Sequence, residues 1–430
     1  MDSIKYIFLI INIGLIIKLI FWETKETEST WAWILLLINF PVAGFLLYLL
    51  TGQSIPKQKK TIEQGIGSLT EDNHVEILIS GEEKFHAMFS DIGKAKKEIL
   101  IQYYIFKEDF LFQKLRELLC KKSLEGVTVK VLYDGLGSRK VPAKKWMELS
   151  QAGVEVKCFK HGFFNNLLSV ISGFNYRNHR KIVVVDGYIG YLGGYNIGKE
   201  YLGLDSRFGD WRDTHFRIVG SAAAALRNVF YSDWGIETKE ENVKGGSGGC
   251  GVQMVISGPT STSAHIRNVY LRCISNAKKE IRIQTPYFVP DGVVLNALKL
   301  ALLSGKEVSL MLPKKPDHMF VYWASLYYAA ELLEMGAKIY IYQKGFLHTK
   351  GIIMDENIYC YGTANMDIRS FHLNYEINAV IYGECEVKKM CEIYQKDMEN
   401  CKQLTKREYA SRSLEIRVKE HISRLLSPLL

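Results

Sequence analysis

His179, Lys181, Asp186 and Asn196 lie in the run HRKIVVVDGYIGYLGGYN, and His348, Lys350, Asp355 and Asn365 lie in HTKGIIMDENIYCYGTAN. Both read histidine, one residue, lysine, four residues, aspartate, six residues, a glycine, two residues, asparagine. Imidazole is both a nucleophile and a proton carrier near neutral pH. Side chains alternate along a strand, so each histidine and the lysine two positions later face one surface. The aspartate has the opposite parity, which gives it a supporting place at the strand end, against backbone or a basic residue. A lone H-x-K on a strand edge is usually solvated. Four polar residues recurring at one spacing in two otherwise drifted copies mark a site.

Two histidines and two lysines facing one pocket suit phosphodiester exchange. One imidazole attacks phosphorus to form a phosphohistidine, while the other protonates the departing alcohol and then deprotonates the incoming one. The lysines and asparagines hold the phosphoryl oxygens as charge develops, so the chemistry calls for no metal and no other cofactor. No H-E-x-x-H, EF-hand or P-loop pattern points elsewhere.

The elements that must carry these residues are α/β in kind. KVLYD, KIVVVD and VSLML are short β-rich runs, whereas VLNALKLALLSG and YAAELLEMGA have helical periodicity ending at glycine. The chain is also duplicated. AKKEILIQYYIFKED from Ala95 matches AKKEIRIQTPYFVPD from Ala277, 182 residues on. LSQAGVEVKCF from Leu149 is echoed 183 residues later by LLEMGAKIYIY, and the two histidine motifs lie 169 apart. Three landmarks in one order, with so long a period, mean two copies of one domain. The copies are expected over 73–243 and 252–430, with KGGSGGCG (Lys244 to Gly251) as the connection.

At 430 residues the chain exceeds a single core, and 47% hydrophobic with 23% charged residues excludes a disordered chain. The net charge of +9 suits an anionic partner without choosing among membrane, phosphate and nucleic acid. Eight cysteines without C-x-x-C or zinc-like spacing read as reduced thiols of a cytosolic domain. The N-terminus differs. Tyr6 to Trp22 and Trp31 to Leu50 are apolar runs of about membrane-spanning length with tryptophans near their ends, and Lys18 can snorkel. No A-x-A-like cleavage site follows the first run, so residues 1–50 are expected to form a hairpin of two transmembrane helices (6–22 and 31–50), followed by a linker over 51–72. Three lysines in SIPKQKK, against one lysine and three glutamates in ETKETEST, place the main chain on the cytoplasmic side of the cell membrane.

The doubled H-x-K-x4-D motif with its trailing glycine and asparagine resembles the phospholipase D superfamily. NYRNHRKIVVVDG, GGYNIGKEY, WRDTHFRIVG, GFLHTK, GTANMDIRSFHLNYEINAVIY and RLLSPLL, with the paired N-terminal apolar runs, resemble its bacterial cardiolipin synthases over nearly the whole chain. The resemblance implies two tandem phospholipase D-like α/β domains sharing one active site. By it His179 and His348 are the reacting histidines, with His179 the nucleophile, Lys181 and Lys350 are phosphate ligands, and Asn196 and Asn365 are further phosphate contacts. Asp186 and Asp355 complete the catalytic motif. Each histidine also needs a carboxylate to fix its tautomer, and position suggests Glu376 for His348 and Asp213 for His179.

The implied reaction joins two phosphatidylglycerol molecules into cardiolipin and glycerol. A phospholipase D that uses water as acceptor fits the same four residues and differs in product. A membrane-tethered nuclease fits the charge, but the lysines are scattered and no aromatic-interleaved basic groove appears, so lipids rather than nucleic acid are the expected partners. A non-enzymatic lipid-binding module would let one His-Lys pair decay, and both are intact. The aromatic run Met319 to Leu333 reads as a packed helix or a lipid channel wall. The C-terminal KREYASRSLEIRVKEHISRLL reads as an amphipathic helix, on anionic lipid or at an ordinary protein surface.

Overall fold

The computed structural model describes residues 2–23, 27–52, 65–159, 175–236, 248–261 and 263–427. The first half contributes β1 (Thr70–Leu78), β2 (Glu98–Tyr103), β3 (Thr128–Asp134), β4 (Glu155–Phe159), β5 (Ile182–Val185), β6 (Ile189–Gly193), β7 (Trp211–Arg212) and β8 (His215–Val219). The second contributes β9 (Cys250–Ser257), β10 (Glu280–Gln284), β11 (Phe288–Val289), β12 (Glu307–Pro313), β13 (Lys338–Tyr342), β14 (Phe346–Leu347), β15 (Gly351–Met354), β16 (Ile358–Gly362), β17 (Met366–Asp367), β18 (Glu376–Tyr382) and β19 (Cys401–Leu404).

Fifteen of these strands form one sheet, in the order β19-β13-β12-β10-β15-β16-β18-β9-β1-β8-β6-β5-β2-β3-β4. Outward from the centre, β1-β8-β6-β5-β2-β3-β4 mirrors β9-β18-β16-β15-β10-β12-β13, and β19 is added at one edge. The halves meet through antiparallel β1 and β9, in the registers Thr70↔Val252 and Asn73↔Cys250. Equivalent strands meeting antiparallel is what a pseudo-twofold axis requires. The duplication seen in the sequence is therefore one sheet with two related halves.

Both motif strands are buried along their whole length, which is why IVVV and GIIM read as continuous apolar runs rather than alternating ones. On one face a single core spans both halves, from Ile182, Phe216 and Phe230 to Tyr359, Ile377 and Met390, beneath helices Ser221–Trp234 and Glu384–Glu399. On the other, each half has its own core, around Phe112 and Ile101 in the first and Leu298 and Ile283 in the second. The expected helices appear as Gly292–Leu303 and Met319–Glu334, and all eight cysteines are free.

The domain boundaries shift. β1 starts at Thr70 and β9 at Cys250, so cuts at 73 and 252 fall inside strands. Most of the expected linker (53–64), the start of the expected connection (244–247) and the lysines of SIPKQKK lie outside the described residues.

At the N-terminus the first apolar run is the helix Asp2–Phe21, but the second is not one helix. It breaks into Thr27–Asn39, Pro41–Leu47 and a π turn at Tyr48–Gly52. Pro41 has no N–H to give the Leu37 carbonyl. Asn12 of the first helix fills that place, its Nδ2 donating to Leu37 O and Pro41 O at 2.9 Å each. Among the described residues no helix is long and apolar enough to cross a membrane.

Candidate active site

Each motif histidine is pinned by its backbone to the opposite half. His179 N donates to Tyr375 O at 2.9 Å, and Tyr375 N to Arg177 O at 2.8 Å. β14 pairs in parallel with β7, and His348 N donates to Arg212 O at 2.7 Å. The residue after each accepting carbonyl is a carboxylate, Glu376 in one case and Asp213 in the other. His179 Nδ1 lies 2.9 Å from Glu376 Oε2, and His348 Nδ1 lies 2.5 Å from Asp213 Oδ2.

This crosses the pairing expected from the sequence, which put Glu376 with His348 and Asp213 with His179. The parallel bridges between halves are the physical reason. Each half supplies the carboxylate for the other half's imidazole, so neither histidine is oriented without both halves.

The carboxylates are themselves held. Glu376 Oε1 accepts from Ser370 Oγ at 3.0 Å and Asn374 Nδ2 at 3.2 Å, and Asp213 Oδ1 accepts from Thr214 N at 2.8 Å. Burial alone would raise both carboxyls. The charges of Lys350 and His348 outweigh it at Asp213, those of His179 and Lys181 at Glu376, and both stay below their ordinary values. Burial, aided by Lys350, pushes His348 down to about 4, and burial also lowers His179 against the pull of Glu376.

Lys181 and Lys350 are fully buried, each donating Nζ to the carbonyl of its own motif histidine. Lys350 Nζ also lies 2.8 Å from His348 Nδ1 and 3.8 Å from Asp213 Oδ2. Burial lowers Lys181 to about 7 and Lys350 to about 8, and the charges of Asp213 and Glu376 act on both lysines. The two motifs therefore share one electrostatic site. A carboxylate at Nδ1 leaves Nε2 of each imidazole available as a nucleophile or a proton carrier.

The motif aspartates are elsewhere. Asp186 and Asp355, with φ of 53° and 50°, sit at the far ends of β5 and β15 from the histidines. Asp186 accepts from the backbone N–H groups of Lys96, Lys97 and Glu98, and Asp355 from those of Lys278, Lys279 and Glu280. The repeated AKKE is the turn that docks on them. The asparagines differ from each other. Asn196 is engaged with Tyr201 Oη and Ile105 N, whereas Asn365 has its backbone N on Ser370 Oγ and a buried Oδ1 with no partner.

Sequence reasoning missed the layer behind the dyads. Arg180 pairs with Asp233 at 2.6 Å and donates Nε to Glu376 O at 3.2 Å. Arg212 pairs with Asp397 through two 2.7 Å bonds and donates to Asp213 O. Gln102 donates to Asp233 and Gln284 to Asp397. The available signal was a glutamine at the same position of the repeated AKKEILIQ and AKKEIRIQ. The surroundings of the histidines differ: Tyr104 lies 5.2 Å from the His179 ring, whereas Trp211 and Phe346 lie 5.0 and 5.6 Å from that of His348. Among the described residues no cluster of three or more His, Cys, Asp or Glu could hold a metal ion.

Comparison with known proteins accords with this geometry. The family model described as "Cardiolipin synthase, PLD-like domain" matches residues 88–234 and 270–401, and "Phospholipase_D-nuclease N-terminal" matches 10–53. The major cardiolipin synthase of Bacillus subtilis (strain 168) is 42% identical, over 99% of this chain and 98% of its own. A cardiolipin synthase of Oceanobacillus iheyensis is 41% identical over 98% of each. Among solved structures, a phosphatidylserine synthase from Haemophilus influenzae Rd KW20 shares the fold with a TM-score of 0.61 at 15% identity, over 83% of this chain and 93% of that one. With both halves matched and the likeness to these relatives running the full length, the chain belongs to the cardiolipin synthase family of phospholipase D-like proteins.

Proposed function

We propose that the protein is a phosphatidyltransferase that makes cardiolipin and glycerol from two phosphatidylglycerol molecules. The observation that carries this reading is the pair of crossed imidazole–carboxylate dyads around two buried lysines, in a chain alike to cardiolipin synthases along its whole length. His179 Nε2 attacks the phosphorus of the first lipid. The P–O bond to glycerol breaks as His348 passes a proton to the leaving oxygen, and a phosphatidyl-His179 remains. His348 then takes the proton from a hydroxyl of the second lipid, whose oxygen displaces His179.

Lys181 and Lys350 hold the phosphoryl oxygens. The unpartnered Oδ1 of Asn365 supports a contact from that side chain, and the engaged amide of Asn196 supports a fold-keeping role more than a direct one. Glu376 and Asp213 orient His179 and His348. The depressed lysines favour an anionic ligand, because a bound phosphodiester offsets their burial. The same charge brings His348 back toward a range in which it carries a proton.

The reading extends to the membrane. Residues 1–50 act as a multi-pass anchor, the two phospholipase D-like domains start near 70 and 250, and the catalytic part lies on the cytoplasmic side. Support comes from the outward-facing Ile7, Ile10, Phe21, Trp22 and Trp31 and from the lysines after the second run.

Hydrolysis is the rival, since water could take the acceptor's place. Purified protein in vesicles of labelled phosphatidylglycerol, followed by lipid separation, tests the choice. Cardiolipin with equimolar glycerol is expected; phosphatidic acid as the sole lipid product would overturn the transferase reading.

A further inference from the structure

The C-terminal helix Leu414–Leu425 is packed inside out. Glu420 and Ser423 are its buried residues, whereas Leu414, Val418, Ile422 and Leu425 are 76%, 47%, 49% and 75% exposed. At about 100° per residue these four fall within a stripe roughly 80° wide. A surface helix ordinarily turns such a stripe toward the core. Here the roll is fixed the other way, because Glu420 accepts from Tyr409 Oη and Arg412 Nε, each at 2.8 Å. Turning the stripe inward would strip a buried carboxylate of both partners.

Arg417 and Arg424 border the stripe on one side; on the other lie Glu415 and Lys419, which pair with each other. The helix lies along Met319–Glu334, whose Trp323 ring is 5.8 Å from Lys419 Nζ and whose Tyr327 ring is 5.0 Å from the Arg424 guanidinium. That neighbouring helix opens with Met319 and Phe320, 50% and 55% exposed. They follow Asp317 by two and three residues, and the Asp317 charge acts on His348 and Lys350. Exposed apolar residues thus lie on both packed helices, and the second of these helices begins beside Asp317, whose charge reaches the site.

We propose that this face docks on an anionic bilayer, with the stripe of Leu414–Leu425 in the acyl boundary, its cations at the head groups, and Met319 and Phe320 beside the point where lipid enters. The proposal rests on the lipid-substrate reading above. Two arginines along one flank of a narrow apolar stripe, with the Lys419–Glu415 pair on the other and aromatic rings beside them, fit an interfacial helix. A second copy is the poorer occupant, since a twofold contact along the stripe would set Arg417, Lys419 and Arg424 near their own counterparts.

The test uses the full chain in nanodiscs of phosphatidylcholine and phosphatidylglycerol, with a photoreactive benzophenone amino acid replacing Ile422. Cross-linking to lipid acyl chains is expected; cross-linking to a second chain, or to neither, would overturn the proposal. In a second arm, Leu414, Val418, Ile422 and Leu425 are all replaced by serine. Transfer on bilayers dilute in phosphatidylglycerol should fall roughly 10-fold, while the rate in mixed micelles stays within about twofold. Equal loss in both media would count against docking. Lipid cross-links from a protein that forms no cardiolipin would leave docking standing and refute the transferase reading instead.

Discussion

Replacing Glu376 by glutamine should stop the covalent step and little else. Oε1 of Glu376 accepts from Ser370 and Asn374 and also lies 3.0 Å from His179 Nδ1, so the glutamine keeps its oxygen there and sets its NH2 at the Oε2 position. An amide donor at the Oε2 position, 2.9 Å from Nδ1, competes with the amide oxygen at 3.0 Å and favours the tautomer in which Nδ1 accepts. The imidazole proton then sits on Nε2, the nitrogen that must attack. A wrong-tautomer change of this kind in a Ser-His-Asp triad costs about 10⁴ in kcat, or about 5.4 kcal/mol of barrier. Asp213→Asn repeats the trap at His348, since Oδ1 is held by Thr214 N and the new NH2 falls where Oδ2 faced Nδ1. The two variants should separate with a phosphatidyl nitrophenyl ester, whose leaving group needs no proton. In stopped flow Glu376→Gln is expected to show no burst, and Asp213→Asn a burst of about one nitrophenol per site followed by slow turnover. The reverse pattern, or losses under about tenfold in both, would refute the crossed assignment.

Other outcomes follow from the same geometry. Burial holds Lys181 down to about 7 and Lys350 to about 8, and both must be charged to receive a phosphodiester. The kcat/KM value should therefore fall as pH rises through about 7 to 8, and kcat only at higher pH, because bound phosphate raises both lysines; a flat kcat/KM to pH 10 would contradict this. A methyl at Gly194 would lie 2.1 and 2.3 Å from the Asp213 carboxylate oxygens, so Gly194→Ala should cost at least about 100-fold in transfer, while Gly249→Ala, which meets open space, should be neutral. Asp186→Ala removes the acceptor of three backbone N–H groups and should lower stability by about 1–3 kcal/mol in thermal unfolding, with kcat of the folded protein kept within a few-fold. Lost turnover at unchanged Tm would instead put Asp186 in the chemistry.

Much of this was legible because polar residues interrupt apolar strands at fixed spacing. The His-x-Lys pairs, the two copies and the buried strands IVVV and GIIM could all be read directly. The crossed dyads could not: Tyr375 bridges Asn178, and Trp211 bridges Phe346, between segments more than a hundred residues apart, which no spacing within one copy reveals. Thr70 to Asn73 is polar and Cys250 is followed by glycine, a linker's composition, although both stretches pair at the centre of the sheet. The second N-terminal run has the hydropathy of a span, but one missing N–H at Pro41 breaks it. Arg180 and Asp233 carry no signal in the sequence, since the setting that buries their pair depends on both halves of the fold.

The most direct test of the two-half site is to find the atom that carries the lipid. Wild-type protein, rapidly quenched during turnover of radiolabelled phosphatidylglycerol and digested under conditions that preserve phosphohistidine, should yield label on the peptide containing His179. The label should vanish in Glu376→Gln and persist in Asp213→Asn treated with the nitrophenyl ester. Label on His348 alone, or turnover without any labelled histidine, would contradict the mechanism.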